Sequence, residues 1–189
     1  MLFRSAINTD AHWLHSNPKL IWGARIGLLV LFSLHVYTGW VLWLENRAAR
    51  PERYRKDATV QATVSSRTMI WTGLVVLAFV VYHLLHFTLK VVDSDSMHLV
   101  DTQGRADVYT MVVTGFSVPA VTISYLVAQV LLGFHLWHAM SSALQTLGWR
   151  HPTIDPVLRR GLPLFAMLIV AGNCLIPLAI LSGAIGVPS

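Results

Sequence analysis

Nine histidines are spread through the 189 residues: His12, His15, His35, His83, His86, His98, His135, His138 and His151. Five of them, His35, His83, His86, His135 and His138, lie inside long apolar runs such as "FVVYHLLHFTLK", Phe79 to Lys90. An ionisable side chain in such surroundings is costly, so it usually faces a bundle interior and carries function. Four chemistries are open to it. A single imidazole can hydrogen-bond across helices. A series can relay protons, usually together with Asp or Glu, and no carboxylate lies deep in these runs. Zinc needs about four ligands, but Cys174 is the only cysteine and no carboxylate stands near to complete the set. Two neutral imidazoles on facing helices suit the axial positions of a b-type haem.

The elements that must carry these histidines are membrane helices. The chain is 54% hydrophobic and 12% charged, about half the charged share of a soluble domain. Four apolar stretches, 20–44, 68–92, 119–147 and 162–186, each reach the roughly 20 residues that cross a bilayer. The expected fold class is an all-α membrane protein, one transmembrane bundle with four spans in this chain and no separate soluble domain. The start, "MLFRSAINTDAHWLHSNPK", lacks the apolar centre of a cleavable signal. The net charge of +5 is confined to loops beside the membrane, so it reports topology and not nucleic-acid binding. Arg47, Arg50, Arg53, Arg55, Lys56 and Arg67 crowd the first connection, and Arg150, Arg159 and Arg160 the third. The second is acidic, with Asp93, Asp95, Asp101 and Asp107 against Arg105. Positive loops stay in the cytoplasm, which puts the first and third connections inside and both ends of the sequence outside. "DVYTMVVTGFS" in the second connection is read either as an interfacial helix or as a packed loop, and Asn173 is expected to bond a neighbouring helix.

Depth then sorts the histidines. His35 lies about 15 residues from the outer end of its span and His135 about 16, so both reach roughly 22–24 Å down at 1.5 Å per residue. They share one level in the cytoplasmic half. His83, on a helix running the other way, falls in the outer half. Small residues near the deep pair, Gly39, Gly133 and Ala139, are expected to admit a flat macrocycle. His86 and His138, one turn from His83 and His135, are read as supporting groups that hydrogen-bond propionates, water or a partner helix. Arg25 and Lys90 are expected to snorkel towards the outer interface.

The segments "SLHVYTGWVLWLENRAARPERYR", "VYHLLHFTLK" and "LLGFHLWHAMSSALQTLG" resemble the cytochrome b subunit of succinate dehydrogenases and fumarate reductases, in the b558 family with a single membrane anchor. The resemblance runs from about Ala11 to the end of the last span. It implies a five-helix bundle with two haems b stacked across the membrane and menaquinone as the usual redox partner. His35 and His135 would ligate the haem iron nearer the iron–sulfur subunit, and His83 would be one ligand of the outer haem. The family's further N-terminal helix, which brings the second outer ligand, has no counterpart ahead of "AHWLHSNPKLIW". The expectation is therefore a sequence truncated at its start; the alternative is a version that keeps one complete bis-histidine site and half of another. His12, His15 or a second chain could supply the missing nitrogen.

The function so implied is that of a membrane anchor and haem b electron-transfer subunit of a succinate:quinone oxidoreductase in the cell's inner (cytoplasmic) membrane. Its partners would be an iron–sulfur subunit and a flavoprotein subunit on the cytoplasmic side, quinone and the lipid bilayer, with no nucleic acid. The chain has neither a nucleotide loop nor a cysteine cluster, so the dicarboxylate site would lie on another subunit. Two alternatives stay open on the sequence. One is a haem b anchor of a hydrogenase or formate dehydrogenase; the other is a cofactor-free transporter with a histidine proton path.

Overall fold

The computed structural model describes residues 2–49, 67–92 and 98–187. Helix dominates, and the only β feature among the described residues is an isolated bridge between Val100 and Ala106. Four helices are long and apolar enough to cross a membrane. The protein is thus an all-α, multi-pass membrane protein. Of the expected loop charges, Arg50, Arg53, Arg55, Lys56, Asp93 and Asp95 lie outside the described residues.

The chain divides into two compact units, residues 2–61 and 62–189. In the first, α1 (Leu2–His15) and α2 (Pro18–Ala48) meet at a tight corner. Polar groups close the end of α1: Ser16 Oγ and Asn17 Nδ2 donate to the Trp13 carbonyl at 2.8 and 2.7 Å. Pro18 then opens α2 at a position where a missing N–H costs nothing. No residue of α2 is buried. Its ends carry cation–aromatic pairs, Arg25 over Trp22 at 5.2 Å and Arg47 over Trp43 at 5.5 Å. Such pairs anchor helices at a membrane interface.

The second unit holds α3 (Met69–His83, running into a π turn at Leu84–Thr88), α4 (Val108–Ser117), α5 (Pro119–Thr146) and α6 (Asp155–Leu181). α5 packs against both α3 and α6, and the short α4 lies against α5 and α6. Both long pairs are antiparallel. A Cβ on Gly133 of α5 would sit 2.7 Å from Val170 Cγ2 of α6, and Asn173 Nδ2, further along α6, donates at 3.0 Å to Gln129 Oε1, further back on α5. The expected partner of Asn173 is therefore Gln129. Likewise Thr72, near the start of α3, meets His135 late in α5, while His83 at the end of α3 meets Tyr125 early in α5.

The segment "DVYTMVVTGFS" is a packed helix. Met111, Val113 and Phe116 of α4 are buried, and Val113 and Phe116 join Tyr125 and Ile180 in the core. Asp107 caps α4, accepting from Thr110 N at 3.2 Å and Thr110 Oγ1 at 2.7 Å. At its other end, fully buried Thr122 donates to the Phe116 carbonyl at 2.7 Å, binding α4 to the first turn of α5. Tyr109 Oη donates to the Gly186 carbonyl at 2.8 Å, drawing the segment after α6 onto α4.

Three spans differ from the apolar windows. α2 runs from Pro18 to Ala48, past the 20–44 stretch at both ends. α3 and its π turn end at Thr88 instead of Val92, because Lys90 takes φ +56° and turns the chain away. α6 begins at Asp155 instead of Leu162: the helix continues past the apolar stretch through a charged turn in which Asp155 pairs with Arg150 and, at 2.6 Å, with Arg159. It ends at Leu181, where Gly183 adopts φ +78°.

Candidate functional site

Two polar clusters stand at opposite ends of the α3–α5 pair. The first is His135. Its Nδ1 lies 3.4 Å from Thr72 Oγ1. That hydroxyl donates its single proton to the Met69 carbonyl at 3.0 Å, so towards His135 its oxygen can only accept. With the hydroxyl proton on Met69, Nδ1 would carry the ring proton and Nε2 the lone pair, the arrangement in which a histidine binds a metal while its other nitrogen is held by an outer partner. Thr72 is 5% exposed and His135 half-buried. The next residue, Gly73, makes the approach possible. A Cβ there would lie 3.2 Å from His135 Cε1, tighter than an unstrained contact.

The second cluster centres on Tyr125 of α5, 5% exposed. Its hydroxyl lies 3.2 Å from His86 Nδ1 and 3.4 Å from His83 Nδ1. Its ring is edge-on to Phe79 and to Phe116, each with centroids 4.9 Å apart. His86 is buried at 1% exposure, and Phe87 packs beside it at 4.1 Å between ring centroids. His83 is exposed. The two histidines straddle the start of the π turn, an element that recurs at functional sites. From the level of Thr72 to that of His83 is about 16 Å along α3 at 1.5 Å per residue, so His135 and His83 occupy two levels of one helix pair.

The remaining residues singled out by the sequence fall as follows. His35 is exposed on α2, in the first unit, and Thr38 Oγ1 donates to its carbonyl at 3.2 Å and to that of Leu34 at 2.8 Å. His138 is half-buried on α5. His86 hydrogen-bonds a partner helix, one of the supporting roles foreseen for it. Nothing lies within 4 Å of a Cβ built on Gly39. Gly133 faces Val170 of α6, where only a bare backbone lets the two helices approach that closely.

Three contributors escaped the sequence reading: Thr72, Gly73 and Tyr125. Thr72 and Gly73 form the dipeptide "TG" near the start of an apolar run, a weak signal that gains meaning only from what faces it. Tyr125 lies ten residues before His135 on α5 and resembles an interfacial aromatic in sequence. Among the described residues no three His, Cys, Asp or Glu side chains gather as a metal site of their own. The first cluster instead offers one imidazole and the second two, each with its Nδ1 facing a hydroxyl across the α3–α5 pair. Comparison of the chain with protein-family models, with curated proteins and with solved structures yields no match.

Proposed function

We propose that the chain is the membrane anchor and haem b electron-transfer subunit of a succinate:quinone oxidoreductase, seated in the cytoplasmic membrane and serving menaquinone. The observation that carries this reading is the setting of His135: a half-buried imidazole within an apolar helix, its Nδ1 held by Thr72 and its approach cleared by Gly73. That donor fits one axial position of a haem, which asks for one imidazole Nε2 per ring face. His35, at the matching depth in sequence, is assigned the opposite face, and His83 one face of an outer haem.

Haem b so held would supply one-electron transfer between an iron–sulfur subunit on the cytoplasmic side and quinone in the membrane. The chain's own residues have three tasks here. Thr72 keeps His135 in the ligating tautomer. Gly73 leaves room for the ring. The apolar side chains of α3 and α5 keep water from the site, which also tunes its potential. Arg150 and Arg159, gathered on Asp155 at the start of α6, belong to the face assigned to the iron–sulfur and flavoprotein partners.

An absorption spectrum of the dithionite-reduced protein, purified from membranes, tests the reading. Bands of a low-spin haem b are expected, and His35→Ala and His135→Ala each abolish them while the protein stays folded. A folded wild-type preparation without haem would sink the proposal.

A further inference from the structure

One phenol proton serves two imidazoles. Tyr125 Oη approaches Nδ1 of both His86, at 3.2 Å, and His83, at 3.4 Å, yet a phenol has a single O–H to give. It can donate to one ring nitrogen only; the other must itself carry a proton and donate to the phenol oxygen. The contact with His86 is the shorter and the more deeply buried of the two, and the phenol proton is assigned to it. His83 Nδ1 then holds its own proton.

We infer that Tyr125 is a positioning residue that holds His83 and His86 in opposite tautomers: His83 protonated at Nδ1, with its lone pair at Nε2, and His86 protonated at Nε2. The polar chain His83–Tyr125–His86 is enclosed by Phe79, Phe87 and Phe116, whose low-dielectric surroundings strengthen it. Its order follows burial. His86 and Tyr125 are shut away at 1% and 5% exposure, while His83, at the open end, keeps the nitrogen suited to a metal. The ligating role this gives His83 rests on the haem reading proposed above; the opposed tautomers do not.

Solid-state NMR of the full chain in lipid bilayers, with ¹⁵N-labelled histidine and under dithionite so that low-spin haem is diamagnetic, reads the tautomer of each ring. His83→Ala and His86→Phe assign the two sets of signals. Wild type is expected to show His83 with a protonated Nδ1 and His86 with an unprotonated Nδ1 shifted by a hydrogen bond. Tyr125→Phe, which keeps the ring and its packing, is expected to shift the His86 Nδ1 signal from its wild-type position. Two rings in the same tautomer in wild type, or a His86 Nδ1 signal unmoved by Tyr125→Phe, would overturn the inference. The absorption spectrum of the same sample tells whether haem is bound, so loss of the haem reading and loss of the tautomer pair appear as separate results.

Discussion

Thr72 Oγ1 donates to the Met69 carbonyl one turn back and faces His135 Nδ1, 3.4 Å away on the neighbouring helix. One hydroxyl thereby ties the start of α3 to a specific nitrogen of α5. The bond is long, yet it stands in an apolar setting, which strengthens it.

Removing this hydroxyl should loosen whatever His135 ligates. Outer-shell partners of metal ligands are worth about 10–100-fold in affinity, and a contact this long belongs near the tenfold end. If the chain holds haem as proposed, Thr72→Val should release it to apomyoglobin faster by about tenfold, while Thr72→Ser stays near wild type. Equal release rates for the three proteins would count against the tie.

Gly133 presses on Val170, with only 2.7 Å for a Cβ. Gly133→Ala should force α5 and α6 apart and cost about 1–3 kcal/mol, as overpacking does. Val170→Ala, placed on top of it, should restore most of that loss. Thermal unfolding in detergent compares the single and double variants.

Lys90 holds a left-handed backbone, φ +56°, which glycine adopts freely and a side chain resists. Lys90→Gly should raise stability by up to about 1 kcal/mol, whereas Lys90→Val, β-branched at the same angle, should lower it. Melting temperatures of the two variants should move in opposite directions from wild type.

Asn173 Nδ2 of α6 donates to Gln129 Oε1 of α5 at 3.0 Å. Interhelical hydrogen bonds within membranes average about 0.6 kcal/mol in double-mutant cycles. A cycle of Asn173→Leu and Gln129→Leu should return a coupling energy of that size, measured by unfolding in mixed micelles. A coupling of zero would reassign both residues to independent lipid-facing or water-facing roles.

The all-α membrane class was legible in the sequence because burying backbone polar groups in hydrocarbon leaves helices as the way for an apolar 20-residue run to satisfy itself. Hence the stretches near Leu20, Thr68, Pro119 and Leu162 could be read from composition, and the order of His135 and His83 in depth followed from rise per residue. Helix ends were less legible. Apolarity marks what suits lipid, whereas Lys90, Gly183 and the Asp155 ion pairs stop or extend a helix by backbone angle and local charge. The partners of each histidine were not legible at all. Thr72 and His135 are 63 positions apart, and His86 and Tyr125 are 39. That Gly133 of α5 meets Val170 of α6 was not legible either. What the sequence by itself determined is that imidazoles stand deep in apolar helices. Only the tertiary structure decided which hydroxyl each one meets, because that depends on the antiparallel register of α3 against α5, set by side chains of both helices together.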